Sequence, residues 1–236
     1  MRIIEKKDNK LTFIVEANES LLNSIRRHVN QIPILAVDEI EMSKNDSALY
    51  DETIAHRIGL IPLKNEGKEG GKLKLNVKKE GKVYSEELKG DIKVIYDKIP
   101  ITLLDKGQEL ELVATVKTGK GSEHSKFTPG LIFYRNVFEL KIDKNCPKEV
   151  IEKCPKNLLK LKDGKIIVDD DFKCDSCEVC VDFCKKCGKD SIELVPTKEL
   201  LVTIESFGQL SVEDMFKKSI EVLKKDLAEF SKKLSK

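Results

Sequence analysis

Residues 199–234 read ELLVTIESFGQLSVEDMFKKSIEVLKKDLAEFSKKL, and this stretch decides how the chain is organised. Its first part, ELLVTIESFG (199–208), alternates apolar and polar side chains, the period-two pattern of a half-buried strand. From Ser211 the period lengthens. Ser211 stands three residues before Asp214, a capping-box-like helix start. Phe216, Ile220, Leu223, Leu227, Phe230 and Leu234 then recur at spacings of 4, 3, 4, 3 and 4. At ~1.5 Å per residue such a helix runs about 35 Å. So long and regular a stripe fits packing along another helix, and packing on the chain's own sheet would use the same spacing.

The opening of the chain repeats the design. LTFIVEA (11–17) reads as a strand, and ESLLNSIRRHVNQIP (19–33) as a helix capped by Asn18 or Ser20 and ended by Pro33. Leu21, Leu22, Ile25 and Val29 share its apolar face, with Arg26 and Arg27 turned elsewhere. A strand–helix unit at each end suggests one α+β domain interrupted by everything between. ILAVDEIEM (34–42) reads as a second strand, and NEGKEGGK (65–72) as a flexible loop. LKLNV (73–77), DIKVIY (91–96), ELELVATVKTG (109–119) and LIFYRNVFELKI (131–142) form a β-rich region. Residues 144–190 turn Lys- and Cys-rich, as an inserted module would.

Composition narrows the function classes. The 236 residues carry 43 Lys and Arg against 41 Asp and Glu, a net charge of +2, which does not suit a protein that coats nucleic acid by bulk electrostatics. Hydrophobic residues make up 40%, enough for a sizeable core. No window approaches the ~18 apolar residues of a membrane span. The start, MRIIEKKDNK, has no apolar signal region, so a cytoplasmic protein without membrane contact is expected.

Five of the seven cysteines crowd into CDSCEVCVDFCKKC, as Cys174, Cys177, Cys180, Cys184 and Cys187. C-x2-C-x2-C-x3-C is the bacterial-ferredoxin run, in which a remote Cys-Pro completes the ligand set. Cys154-Pro155 lies upstream, and the residues between it and Cys174 suit a helix, a hairpin and a returning loop. The ferredoxin spacing counted back from Cys154 meets Lys144, Pro147 and Val150, none of them a thiolate, so one cluster is expected and not two. Cys154, Cys174, Cys177 and Cys180 are the expected ligands of a [4Fe-4S] cluster. A [3Fe-4S] cluster on Cys174, Cys177 and Cys180, or a zinc ion, would use the same thiols. Cys146 and Cys187 read as spare thiols, and Cys184, followed by Lys185 and not by Pro, has lost its natural cluster. With no GxGxxG and no GxxxxGK[ST] beside it, the cluster reads as a fold-stabilising staple.

Four stretches carry a family resemblance: SLLNSIRRHVNQIPILAVDEIEM (20–42), DETIAHRIGLIPL (51–63), HSKFTPGLIFYR (124–135) and ESFGQLSVEDMFKKSIEVLKKDL (205–227). Together they resemble the α-like assembly subunits of cellular RNA polymerases, and most nearly the D-type subunits of archaeal RNA polymerases, kin of the eukaryotic third-largest subunit and the bacterial α N-terminal domain. The resemblance spans essentially the whole chain. It implies a discontinuous dimerisation domain (1–40 and 198–236), interrupted by a β-rich insert domain (41–143) that carries a ferredoxin-like iron–sulfur module (144–197). It also implies a heterodimer with subunit L, contacts with small subunits N and P and the large catalytic subunits, and DNA met only through the assembled enzyme.

On this reading the chain holds no catalytic site of its own. Asp169–Asp171 reads as a turn with solvated carboxylates, not as a metal-binding polymerase triad. Phe216, Ile220, Leu223, Leu227 and Phe230 would face the partner helix, with Arg26, Arg27 and Arg57 as further partner contacts. His56 reads as a packed, hydrogen-bonded residue, His28 and His124 as lacking acidic or thiol companions, and GLIPL (59–63) as a core or interface strand. A single-cluster ferredoxin-like electron carrier is the alternative. A zinc-bearing nucleic-acid binder lacks the basic or aromatic patch it would need.

Overall fold

The computed structural model describes residues 1–66 and 69–234. Gly67 and Lys68 of the expected 65–72 loop lie outside them. In chain order the strands are β1 (Arg2–Lys7), β2 (Lys10–Glu16), β3 (Pro33–Asn45), β4 (Lys72–Val77), β5 (Gly81–Tyr84), β6 (Lys89–Gly90), β7 (Pro100–Leu104), β8 (Leu110–Lys120), β9 (Gly130–Ile142), β10 (Leu159–Lys162), β11 (Lys165–Val168) and β12 (Ile192–Ser206). The helices are α1 (Glu19–His28), α2 (Asp51–Gly59), α3 (Val179–Lys186) and α4 (Val212–Leu234). The chain divides into two compact units. The larger holds Glu5–Leu11, Ser20–Phe133 and Ile204–Lys236, and the smaller holds Met1–Ile4, Thr12–Glu19 and Tyr134–Thr203.

In the larger unit a sheet of order β3-β8-β4-β6 lies with the β5-β7 pair and α2 around one core. Ile34, Leu35, Ala36 and Val37 of β3 are buried in succession, so this stretch has cover on both faces. The antiparallel register of β3 on β8 slips between Val37 and Glu39, leaving Asp38 out of the ladder. The carboxylate of Asp38 meets Lys126 Nζ at 2.6 Å and Lys117 Nζ at 3.6 Å. The Lys126 hydrogen bond is the main reason its pKa lies below the usual carboxylate value.

DETIAHRIG forms α2. Asn45 Nδ2 donates to the Leu49 carbonyl at 2.8 Å and to the Asp51 carboxylate at 2.7 Å where the helix begins. Ile54 and Ile58, one turn apart, are both 0% exposed against Leu35, Val37, Leu63 and Leu73. Pro62 has no N–H to continue the helix, and Arg57 Nη1 donates to the Ile101 carbonyl of β7 at 2.8 Å.

Four expectations need correction here. GLIPL is not a strand: Gly59 closes α2, Leu60 is exposed, Ile61 and Leu63 enter the core, and Leu63 makes only a single bridge, to Val94. DIKVIY is not a strand either. It touches 62–64 through two backbone hydrogen bonds, Lys64 N to the Lys93 carbonyl and Ile95 N to the Pro62 carbonyl. His56 is exposed and not packed. Leu21 is 51% exposed, because Leu22, Ile25 and Val29 form the inward row of α1 and its 3-10 extension Val29–Gln31.

Helix α4 begins as the sequence indicates, with Ser211 Oγ accepting from Asp214 N at 3.1 Å and donating to the Asp214 carboxylate at 2.8 Å. Its buried residues are Val212, Met215, Ser219 and Leu223. This inward row is rotated from the Phe216–Leu234 stripe and joins it only at Leu223. Leu227, Phe230 and Leu234 are 58%, 61% and 73% exposed. A Cβ at Gly130 would strike the Glu205 carbonyl and the Met215 sulfur, so glycine is required where β9 meets α4 and the end of β12.

The smaller unit is built on a sheet of order β1-β2-β12-β9. The β1 strand, largely exposed, had no pattern to reveal it. Thr12 and Thr203 hydroxyls meet at 3.3 Å, and Ile14, Val137 and Leu201 form a small core with Phe172. Between β9 and β12 runs the cysteine-rich segment, which contains the β10–β11 hairpin. Its turn residues Asp163 and Gly164 have φ of 51° and 77°, the left-handed pair that favours Asp-Gly in tight hairpins. The hairpin expected between Cys154 and Cys174 is present. The helix expected there is not, and a 3-10 turn over Lys148–Lys153 precedes Cys154 instead. Among the described residues no helix is long and apolar enough to cross a membrane.

Replacing Ile54 by Ala is expected to lower unfolding free energy by about 2–5 kcal/mol through lost burial and a residual cavity. Leu227→Ala should change the isolated chain by less than about 0.5 kcal/mol. Chemical denaturation of the two variants checks both values.

Candidate metal centre

Four of the seven cysteines line one pocket. Cys154, Cys174, Cys177 and Cys180 face it together with Leu140, Leu158, Leu159 and Leu194 from the walls. Cys154 follows the 3-10 turn Lys148–Lys153, Cys174 and Cys177 sit on the loop after β11, and Cys180 is in the first turn of α3.

The local backbone makes this possible at a cost. Asn157, Ser176 and Glu178 adopt φ of 53°, 58° and 60°, left-handed values that cost a non-glycine residue roughly 1 kcal/mol or more each. Ser176 and Glu178 lie between successive cysteines, so the chain turns back on itself at each interval. The Asn157 turn, with its N–H on the Cys154 carbonyl at 3.0 Å, brings Leu158 N to 3.5 Å from Cys154 Sγ. Arg135 donates from its two terminal nitrogens to the Phe172 and Cys174 carbonyls, fastening the loop to β9. At the rim Lys156 Nζ meets the Asp175 carboxylate at 3.0 Å, which lowers the Asp175 pKa. Arg2 stacks over Phe172 at 4.7 Å.

The donor set suits a metal group: four soft sulfurs, apolar walls and a backbone donor to one sulfur. Burial pushes the Cys180 thiol up to about 11, and the nearby Cys174 and Cys154 add to the rise. Without a cation, then, the site resists gathering thiolates. Among the described residues no three His, Cys, Asp or Glu side chains are gathered tightly enough to hold a single metal ion.

The other cysteines lie apart. Cys184 is 1% exposed in the core of the module, with its sulfur 3.8 Å from that of Cys146, and Cys187 is exposed at the end of α3. Asp169 pairs with Lys160 at 2.8 Å, and Asp170 accepts from Phe172 N at 3.0 Å.

Of the further residues singled out from the sequence, Arg26 and Arg27 are exposed on α1, with Arg26 Nη2 donating to Asn23 Oδ1 at 2.9 Å. Arg57 is tied to β7 as described. Phe216 and Ile220 are half-buried, Leu223 is buried, and Leu227 and Phe230 are exposed. His28 has an acidic companion after all, Asp226 of α4 at 3.3 Å, and its Nδ1 faces the Ser24 carbonyl at 2.7 Å. The near-200-residue gap between His28 and Asp226 hid the pair from sequence reading. The Cys146–Cys184 pair escaped for the same reason.

Residues 32–134 match the model of the RNA polymerase Rpb3/RpoA insert domain, so the β3–β8 sheet with α2 is an insert domain of RNA polymerase type. The whole chain extends the match. It is 33% identical to DNA-directed RNA polymerase subunit Rpo3 of Archaeoglobus fulgidus over 98% of this chain and 96% of that protein. It is 31% identical to the Rpo3 of Methanosphaera stadtmanae over 94% of each chain, and 30% identical to that of Pyrococcus furiosus over 100% and 97%. The chain belongs to the Rpo3 family of DNA-directed RNA polymerase subunits.

The Cys180 thiol holds its proton in the folded, metal-free chain to about pH 11, against 9.0 for an ordinary thiol. The stability it contributes is therefore complete below pH 9 and lost as pH rises toward 11. The thermal midpoint of metal-free protein, followed from pH 8 to 11, should fall more steeply than that of Cys180→Ala. Parallel curves would show that Cys180 titrates normally.

Proposed function

We propose that the chain is the non-catalytic, α-like assembly subunit of an archaeal DNA-directed RNA polymerase, the D type, kin of the eukaryotic third-largest subunit and the bacterial α N-terminal domain. In this role it pairs with subunit L through a discontinuous dimerisation domain formed by residues 1–40 and 198–236. The pair then gathers small subunits N and P and the large catalytic subunits, and meets DNA only as part of the cytoplasmic enzyme. The observation that carries this reading is the bare half of α4: Leu227, Phe230 and Leu234 extend an apolar row that none of the described residues buries. Three large apolar side chains held in solvent on a continuous helix need a second surface. A partner helix supplies one, with Arg26 and Arg27 as flanking contacts and Arg57 at a further one.

In the smaller unit Cys154, Cys174, Cys177 and Cys180 would hold one [4Fe-4S] cluster, whose four iron–thiolate bonds supply folding free energy to the module. The x2, x2, x3 spacing from Cys174 and the remote Cys154-Pro155 favour a cluster over one zinc ion.

Replacing Leu227 and Phe230 together by Asp should lower affinity for subunit L at least tenfold in a pull-down titration, while leaving the thermal midpoint of the chain alone nearly unchanged. Undiminished pairing would overturn the assembly surface. Iron and acid-labile sulfide measured per chain, on oxygen-free protein bound to subunit L, test the cofactor. About four irons with matching sulfide supports the assignment, about three leaves Cys154 unliganded, and one zinc without sulfide replaces the cluster. Cys177→Ser should disrupt the module and weaken large-subunit assembly without loss of the pair with subunit L.

A further inference from the structure

Away from the four-cysteine pocket, one histidine is held between two groups that can only accept a hydrogen bond. His28, the last residue of α1, points Nδ1 at the Ser24 carbonyl at 2.7 Å and Nε2 at the Asp226 carboxylate of α4 at 3.3 Å. A carbonyl and an ionised carboxylate have no proton to give, and a neutral imidazole has one N–H for the two of them. The shorter contact, to Ser24, keeps that proton on Nδ1. The Nε2 lone pair then faces the carboxylate, and the two repel. Only the imidazolium, with an N–H on each nitrogen, satisfies both neighbours.

We infer that His28 and Asp226 form a proton-operated clasp between α1 and the outer half of α4, closed by the imidazolium and opened when the ring loses its proton. The charged groups that surround His28 are few. Asp226 faces it from α4, and Arg26 and Arg27 stand beside it on its own helix, while Asn30, Gln31 and Ser122 bring no charge. Both arginines are exposed, so water and salt screen their repulsion, and Arg26 turns its guanidinium to Asn23 Oδ1 through two hydrogen bonds of 2.9 and 3.3 Å. The carbonyl end of α1 itself favours a cation at this position.

The clasp sits where the packing of α4 runs out. Leu223 is the last buried residue of the helix, and residues 224–234 are exposed throughout. Asp226 lies three residues past Leu223 and reaches back to the end of α1, where the 3-10 turn Val29–Gln31 packs against α4. With no buried side chain in that stretch, a polar contact weighs more than it would beside a core. The proton on His28 therefore sets how firmly the row of Leu227, Phe230 and Leu234 is held to the body of its unit. An imidazole ordinarily changes charge between about pH 5 and 8. The clasp is closed at the acid side of that interval and is lost as pH rises through it. The inference concerns this chain by itself and stands whether or not the bare row meets subunit L.

The test uses the full chain in its metal-loaded form, labelled with 15N-histidine and followed by two-bond 1H–15N correlation from pH 5 to 9. His124 provides the contrast, because its Nδ1 accepts from Lys126 N at 3.2 Å and the neutral ring must carry its proton on Nε2. At the alkaline end His28 should show the reverse, a protonated Nδ1 and a bare Nε2, its signal assigned by its loss in His28→Gln. In parallel, amide exchange is measured over residues 226–230, each rate divided by its intrinsic value at that pH. Protection should be about threefold higher at pH 5.5 than at pH 8.5, the scale of a part-exposed ion pair, and constant with pH in Asp226→Asn. A neutral His28 with its proton on Nε2 would overturn the clasp, as would pH-independent protection in the unsubstituted chain or an unchanged pH dependence in Asp226→Asn. The Asp226 side chain is 53% exposed, so its substitution leaves the core intact.

Discussion

Thr197 donates its hydroxyl to the Val137 carbonyl at 2.8 Å, and Asp143 N donates to the Ser191 carbonyl at 2.8 Å. These bonds lie along the neighbouring run of β9 beside β12, and the cysteine module depends on that pairing. The chain leaves the sheet at Ile142 and returns at Ile192, so everything the module does is done by a loop whose two ends are clamped side by side. Leu140 and Leu194, one from each strand, form walls of the pocket. Arg135, also on β9, reaches two carbonyls of the loop that bears Cys174. The sheet thus supplies one wall and one fastening of a site whose sulfurs come from irregular backbone at Cys154, Cys174 and Cys177 and from the first turn of α3 at Cys180.

That division explains why so small a module needs chemistry to hold it. The core around Val150 and Ile192 is small, and three residues beside the pocket sit in left-handed conformations. Hydrophobic burial on this scale offsets little backbone strain and chain entropy. Sulfur–metal bonds at the four-cysteine pocket would be the strong local links for such a segment.

How far the sequence could be read depended on the range of the interaction involved. The start of α4 was legible because Ser211 and Asp214 are three residues apart and cap the helix through their own bonds. The strands β8, β9 and β12 were legible from alternation, and the four pocket cysteines could be singled out from the C-x2-C-x2-C spacing together with the remote Cys154-Pro155. The errors have another source. DIKVIY has strand composition, but its contacts are scattered over Lys72, Ser85 and the short 62–64 segment, so pairing, and not propensity, decided its state. GLIPL looked like a strand because Ile61 and Leu63 are apolar, yet they follow a helix whose buried Ile54 and Ile58 use the same core. Leu21 belongs to the sequence pattern of α1 but not to the row that tertiary packing selected. The His28–Asp226 and Cys146–Cys184 pairs join residues that only the fold brings together.

Helix α4 carries two apolar rows, and their offset bears on what a partner must supply. Val212, Met215, Ser219 and Leu223 are used by the chain itself. Beyond Leu223 the inward row ends, while the other continues through Leu227, Phe230 and Leu234. Burying those three gives roughly 1.5–3 kcal/mol each. Bringing two proteins together costs about 4–15 kcal/mol in lost translation and rotation. The helix seam by itself therefore comes close to break-even, and a stable pair needs further surface. Leu21 on α1 and Phe207 ahead of α4, 51% and 41% exposed, are large apolar side chains in the same compact unit. An interface that covers them with the seam has the apolar area that the seam alone lacks. On this accounting the exposed Leu21 would add to such an interface, as Phe207 would.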